Sequence, residues 1–296
     1  MTKKMKNVLI TGANKGIGYA IAKRVLEEAE DTVVFLGARD RNRGETAADA
    51  LRQTEAGSAD RVHFVELDVA SNASVDRAGL EVRDKSGKEG LYGIVNNAGI
   101  GLGAEELRDV VNINTRGIKR VCDTFMPMLN SGGRIVNVTS ASGPNFVATC
   151  APEKQAFFTN PHVTWDEIDA LLLECEAIAG NTSAFAARGL GDGVAYGLSK
   201  ACSNAYTVHL AREHPEFVIN ACTPGFISTD LTSAYVASSG RTAEELGMKT
   251  PSEGAASAVF LLFGDPDGSG HYYGSDAKRS PLDRYRAPGS PAYTGD

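Results

Sequence analysis

The chain has 296 residues, 42% hydrophobic and 23% charged, enough for one large α/β domain with a full core. Its formal charge of -7, with no block of lysine or arginine, argues against nucleic acid as a partner. With no apolar run near the roughly 18 residues of a membrane helix, five scattered cysteines and five histidines in no ligand pattern, it reads as cytoplasmic, with no membrane partner and no metal.

Asn7 to Thr11 form a short apolar run that stops at Gly12, as expected of a strand buried on both faces. Gly12-Ala13-Asn14-Lys15-Gly16-Ile17-Gly18 follows, and then the helical spacing of Ile21, Val25 and Leu26. A glycine-rich turn between a buried strand and a helix offers bare N–H groups and the positive helix end to a pyrophosphate. The second strand, Thr32 to Leu36, leads into Gly37-Ala38-Arg39. This is where an acidic residue selects NAD and an arginine the 2′-phosphate of NADP. Arg39, with Lys15 as a second cation, favours NADP(H). Asp40 is a nearby carboxylate able to bridge to Arg39 or to a ribose.

A helix over 41–55 precedes the strand Val62 to Leu67 and then Asp68-Val69. Asp68 either accepts from an adenine amino group or makes a helix-cap contact. The strand Tyr92 to Val95 runs into Asn96-Asn97-Ala98-Gly99, whose small side chains let a cofactor approach the backbone. Residues 104–130 read as helical, with Asn114 inside. Asparagine is locally unfavourable there, so it is either surface filler or holds a bend or a water. Gly133 to Ser140 is a further central strand, ending in a hydroxyl that can bond a substrate oxygen or cap the strand end.

From Gly143 to Val194 the alternation stops. Thr164-Trp165-Asp166-Glu167 is a capping-box pattern ahead of Ile168, Leu171, Leu172 and Cys175, which predicts an amphipathic helix. The whole segment is expected to be a lid or packing element. Ala195-Tyr196-Gly197-Leu198-Ser199-Lys200 then sets a phenol and an ammonium one helical turn apart, where Lys⁺ favours the phenolate. A strand over 217–223 ends in Pro224-Gly225-Phe226-Ile227-Ser228-Thr229. A helix over 252–263 and a short strand near His271-Tyr272-Tyr273 follow, and the tail 281–296 reads as loosely ordered.

In this order, Thr11-Gly12-x-x-x-Gly16-x-Gly18, Asn96-Asn97-Ala98-Gly99, Asn114, Ser140, Tyr196-x-x-x-Lys200 and Pro224-Gly225 resemble the short-chain dehydrogenase/reductase family. The 56 positions between Ser140 and Tyr196, with Asn14-Lys15, Ala38-Arg39-Asp40 and His271-Tyr272-Tyr273-Gly274, resemble its carbonyl reductase branch. The resemblance implies an α/β fold: a single Rossmann-type doubly wound parallel sheet with helices on both faces, over 1–280, carrying a helical insertion at 143–194. In that branch the insertion covers the surface that relatives use to dimerise, so a monomer is implied. The implied activity is NADPH-dependent reduction of an aldehyde or ketone on a small, moderately apolar molecule. The alternative is a catalytically silent NADP(H)-binding sensor or scaffold.

By the same resemblance, Tyr196 gives a proton to the carbonyl oxygen while Lys200 lowers its pKa and holds the nicotinamide ribose. Ser140 fixes and polarises that oxygen, and Asn114 holds a water that links Lys200 to solvent. The implied cofactor contacts are Gly12, Asn14, Lys15, Gly16, Ile17, Gly18, Arg39, Asp68, Val69, Asn96, Ala98, Gly99, Tyr196, Lys200, Pro224, Gly225, Ile227 and Thr229. The chain departs from the branch in being shorter around 84–91 and 100–112, the latter bordering the substrate cleft.

Overall fold

Strand and helix alternate along most of the computed structural model, which describes residues 5–101 and 106–295. The basic start, the first residues of the expected 104–130 helix and Asp296 lie outside the described residues. The strands are β1 (Lys6–Thr11), β2 (Thr32–Ala38), β3 (Val62–Glu66), β4 (Leu91–Asn96), β5 (Leu129–Val138), β6 (Val218–Cys222), β7 (Tyr272–Tyr273) and β8 (Arg279–Ser280). They form one sheet in the order β3-β2-β1-β4-β5-β6-β7-β8. Every neighbouring pair is parallel except β7 and β8. The chain winds outward from β1 to β3, then returns to place β4 on the other side of β1. Ligands of open parallel sheets bind at such a reversal, beyond the carboxyl ends of the strands.

Side chains alternate across the sheet, and each face buries its own apolar cluster. Val8 and Ile10 of β1 pack with α1 (Gly16–Glu28) and α2 (Arg41–Arg52), through Ile21, Val25 and Leu51. Leu9 faces the opposite side, with Val75 and Val82 of α3 (Asn72–Ser86). The expected 104–130 helix is instead α4 (Leu107–Val111), a π-helical turn at Asn112–Arg116, and α5 (Gly117–Phe125). The break has a cause in side-chain competition: the Ser203 hydroxyl donates to the Asn114 carbonyl at 2.8 Å. A single turn of 3₁₀ helix, Met126–Met128, then leads into β5, which starts at Leu129.

Residues 142–187 hold α6 (Ser142–Thr149), α7 (Pro152–Phe158), α8 (Trp165–Ala177) and α9 (Thr182–Ala187). The capping box forms as expected: Thr164 Oγ1 accepts from the Glu167 N–H, and the Glu167 carboxylate accepts from the Thr164 N–H. Phe146, Phe158, Ile168, Leu172 and Phe185 join the same apolar cluster as Leu9 and Leu198, the latter on α10 (Ala195–Glu213). After β6 the chain forms α11 (Asp230–Ser239), which no periodicity announced, then α12 (Pro251–Gly254) and α13 (Ala256–Phe263). Beyond Ser280 the described tail has no helix or strand. It is nevertheless fastened: Arg286 donates to Ser280 Oγ at 2.9 Å and to the Ser290 carbonyl at 2.8 Å, and pairs with Asp276. Among the described residues no helix is long and apolar enough to cross a membrane.

Candidate active site

The glycine turn is clamped to the end of β4 by side chains. Thr11 Oγ1 accepts from the Asn97 and Ala98 N–H groups at 3.0 and 3.1 Å. Asn97 Nδ2 donates back to the Thr11 carbonyl at 2.9 Å and the Gly12 carbonyl at 3.2 Å. The approach is too close for side chains. Gly12 has φ +64°, and a Cβ there would lie 2.9 Å from Ala98 Cα. A Cβ on Gly18 would lie 2.4 Å from Asn97 Nδ2 and 2.5 Å from the Gly12 carbonyl oxygen. Gly18→Ala is therefore expected to cost about 1–3 kcal/mol by overpacking, read as a lower midpoint of thermal unfolding. An unchanged midpoint would show that the turn has slack.

Beside this turn lies a cleft of about 450 Å³ at the amino end of α1. The turn forms one wall, Arg39 and Asp68-Val69 stand at the tips of β2 and β3, Asn97 to Ile100 form the floor, and Thr229 to Leu231 cross the mouth. The shape fits a dinucleotide: bare backbone and a helix amino end at one place, a guanidinium at another. No hydrogen bond or ion pair holds Arg39 among the described residues. Asp40 does not bridge to it, because its Oδ1 caps α2 by accepting from the Arg43 N–H at 2.9 Å. Lys15 is committed to the other side of the mouth, 2.6 Å from Asp230 Oδ2. The Asp68 carboxylate accepts from the Ala70 N–H at 3.0 Å, and the cap of α3 falls to Ser71.

Besides Tyr196 and Lys200, four residues expected at the cofactor do not line this cleft among the described residues. The side chain of Asn96 turns into the sheet and donates to Asn137 Oδ1, 2.9 Å away on the neighbouring strand, while Asn97 lines the cleft. Strand alternation decides this, since adjacent residues face opposite ways. Pro224 and Ile227 pack where a Cβ on Gly254 would fall, and Gly225, with φ +94°, faces Ser275. These three shape the loop and do not line the cleft among the described residues. Ile227 pairs with Lys249, which holds the loop so that Thr229 and Asp230 reach the mouth.

The side chains expected to react lie deeper. Ser140 follows β5 and precedes α6, which packs on α10 at two glycines. A Cβ on Gly143 would lie 3.0 Å from the Lys200 carbonyl carbon, and one on Gly197 would lie 2.9 Å from Phe146 Cβ. This contact sets the Ser140 hydroxyl beside the Tyr196 phenol, whose pKa it lowers. Ser140 also accepts from the Ser142 N–H at 3.1 Å. Tyr196 is 8% exposed and Lys200 4%. The Lys200 ammonium donates to the Val138 carbonyl at 3.2 Å and lies 5.6 Å from the centre of the Tyr196 ring.

Asn114, fully buried, accepts from the Ile100 N–H and donates to the Ile100 carbonyl, both at 2.9 Å, and donates to Ser199 Oγ at 3.0 Å. A Cβ on Gly99 would lie 3.2 Å from Asn114 Oδ1 and 3.5 Å from Lys200 Nζ, so both groups border the same space over the cleft floor.

Burial sets the electrostatics. It pushes the Tyr196 phenol up, and the Ser140 hydrogen bond pulls it only part of the way back. The expected lowering by Lys200 does not arise: burial and Ser140 alone set the shift. The Lys200 pKa falls to about 8, with the neighbouring Cys222 thiol offsetting part of the fall. At neutral pH the site thus holds a protonated phenol beside a lysine that is still largely charged.

Several residues of the candidate site escaped sequence reasoning. Asn97 was recoverable from strand parity. Ser199, which donates to the Tyr196 carbonyl at 2.8 Å while accepting from Asn114, lies between Tyr196 and Lys200 in the sequence, but Asn114 comes from another helix. Asp230 follows Thr229 directly, yet nothing local pairs it with Lys15.

A family model described as short chain dehydrogenase matches residues 6–152. The (+)-neomenthol dehydrogenase of Arabidopsis thaliana is 32% identical over 287 residues, covering 86% of this chain and 90% of that protein. The NADPH carbonyl reductase 1 of Mus musculus is 32% identical over 277 residues, covering 88% and 92%. Among solved structures, the menthone neomenthol reductase of Mentha piperita is 25% identical with a TM-score of 0.72, covering 92% of this chain and 99% of that one. The salutaridine reductase of Papaver somniferum shares the fold, at 24% identity and a TM-score of 0.75, over 90% of this chain and 99% of that one. With its glycine turn, its Ser140–Tyr196–Lys200 cluster and relatives that match over most of both chains, the protein belongs to the short-chain dehydrogenase family.

Proposed function

We propose that this chain is an NADP-dependent oxidoreductase that reduces an aldehyde or ketone on a small, moderately apolar molecule. The observation that carries the reading is the buried Tyr196 phenol, with Ser140 beside it, next to a dinucleotide-shaped cleft whose rim holds Arg39, which has no partner among the described residues. Relatives named as NADPH carbonyl reductases support the choice of cofactor. Arg39 meets the 2′-phosphate, with Lys15 able to leave the exposed Asp230 and join it. The dinucleotide, when bound, supplies the hydride.

The protein's own residues manage the oxygen and its proton. Ser140 Oγ holds the carbonyl oxygen and Tyr196 Oη gives it a proton, which the burial-raised phenol retains until needed. Lys200 stabilises the phenolate left behind. Asn114, over the same floor, orders the approach of a water to Lys200 for reprotonation. Phe226 and Tyr235, both exposed and packed edge to face at 5.7 Å, flank Thr229 in sequence and suit an apolar substrate body. Residues 143–194 act as a packing element of a single domain, and α8 covers α10 through Trp165 on Tyr206, which favours a monomer.

Purified protein assayed with a panel of aldehydes and ketones is expected to oxidise NADPH in preference to NADH. Arg39→Asp is expected to lower the NADPH-to-NADH ratio of kcat/KM by about 10–100-fold, from loss of a charge-assisted phosphate contact and gain of a repulsion. An unchanged ratio would remove Arg39 from cofactor selection, and NADPH binding without turnover of any carbonyl would remove the reductase reading.

A further inference from the structure

We infer that Arg116 is a positioning residue, through which α8 holds the π-helical turn and so fixes the Asn114 amide against the helix that carries Tyr196 and Lys200. Arg116 closes that turn, which spans Asn112–Arg116. Its Nε donates to Asp169 at 2.7 Å and its Nη1 donates to Glu176, both on α8. Asp169 and Glu176 are seven residues apart, two turns on one helix face, so a single guanidinium reaches both. The Arg116 and Glu176 side chains are only 18% and 10% exposed.

A π-helical turn opens the hydrogen-bond ladder of its helix and needs outside partners to hold its shape. The inner side of this turn finds such partners on α10. Thr115 Oγ1 donates to the Ser199 carbonyl at 3.0 Å, Ser203 Oγ to the Asn114 carbonyl at 2.8 Å, and Asn114 Nδ2 to Ser199 Oγ at 3.0 Å. The start of the turn is held by Arg120, which donates to the carbonyls of Asn112 and Val69, both at 3.0 Å. Its outer end is held by Arg116 and α8. Burial works against the Arg116 charge, yet the bonds to Asp169 and Glu176 outweigh that and raise its pKa.

The pair is a poor device for stability alone. Among the described residues Arg116 Nη2 is buried without a partner, and apolar residues of similar volume often serve stability as well as a buried ion cluster does. The arrangement suits placement instead: two fixed acceptors set the guanidinium in one orientation, and the turn with it. A helix outside the cofactor cleft thereby sets the position of a group that borders Lys200.

The kinetic half of this inference rests on the proposed reductase activity, so the test has a second half that does not. Arg116→Met and Arg116→Lys would be compared with wild type in kcat, in KM for NADPH, and in hydrogen exchange at Ile100, whose N–H donates to Asn114. Arg116→Met is expected to lower kcat about 10-fold with KM for NADPH within about 2-fold, since small misplacements near a reacting group are costly. Exchange at Ile100 is expected to rise about 10-fold while Leu9 and Ile94 in the strands keep theirs. Arg116→Lys is expected to recover most of both. Should Arg116→Met not fold, Asp169→Asn, which removes one charge and leaves the turn's own sequence intact, is expected to show the same pattern at about 3-fold.

Unchanged kcat and Ile100 exchange would overturn the inference. So would an equal rise at Leu9 and Ile94, which marks a general loss of stability. If the wild type reduces no carbonyl, the reductase reading fails on its own, and exchange at Ile100 still decides for or against Arg116.

Discussion

Tyr196→Phe is expected to lower kcat for carbonyl reduction by about 10²–10⁴-fold, the range of a positioned proton donor, while NADPH affinity stays within about 2-fold. The substitution removes one oxygen. The ring keeps its buried place on α10, where it packs against the floor: a Cβ on Gly101 would lie 3.4 Å from it. Folding and cofactor binding are therefore spared, and the loss reports on the proton alone. Ser140→Ala separates the two hydroxyls. If Tyr196 is the donor and Ser140 the holder, Ser140→Ala costs less than Tyr196→Phe, by analogy with one lost oxyanion donor at about 10²–10³-fold. The reverse order would make Ser140 the donor, and retained turnover in Tyr196→Phe would end the acid role altogether.

Most of the sheet was legible because buried parallel strands announce themselves as short apolar runs ended by glycine or polar residues, as at Asn7–Thr11 and Tyr92–Val95. The capping box at Thr164 was legible for the same reason: its signal is local. What sequence reasoning missed is not local. The π-helical turn at Asn112–Arg116 depends on hydroxyls of Ser199 and Ser203, more than eighty residues on, and helical periodicity continues straight through it. Asn96 and Asn97 differ only by parity along β4, so naming a pair of amides did not say which one faces the cleft. Ser140, Tyr196 and Lys200 could be named as the expected reactive set from the Tyr-x-x-x-Lys spacing, a strand-end hydroxyl and the family resemblance. Its electrostatics could not, because burial, which pushes the phenol up and the ammonium down, is a property of the folded core.

Lys200→Met is expected to cost turnover at least about 10²-fold, by removing the cation that stabilises the phenolate, and at the same time to make the protein more stable at pH 7. The two effects have one source. Among the described residues Lys200, 4% exposed, makes a single hydrogen bond, to the Val138 carbonyl, and burial holds its pKa at about 8 against an ordinary value of 10.5. Below about pH 8 the group is charged in both folded and unfolded chains, and the folded one bears the full penalty of a buried ammonium. As pH rises from about 8 to 10.5, the folded chain releases its proton while the unfolded one keeps it, so wild-type stability increases across that window by about 3 kcal/mol.

Methionine, of similar length and without charge, removes the penalty at every pH. It leaves the Val138 carbonyl short of a donor, which costs about 1 kcal/mol. The net gain at pH 7 is then about 2 kcal/mol, a few degrees in the midpoint of thermal unfolding. Thermal unfolding of both proteins from pH 7 to 10 checks the sign: the variant leads at pH 7 and its lead shrinks as pH rises. Cys222 and Tyr272 are also pushed up by burial, Cys222 to about 12, and both are present in the two proteins, so the difference between the curves isolates Lys200. A variant less stable than wild type at pH 7, or a difference that does not change with pH, would mean that the Lys200 ammonium is not held against a burial penalty.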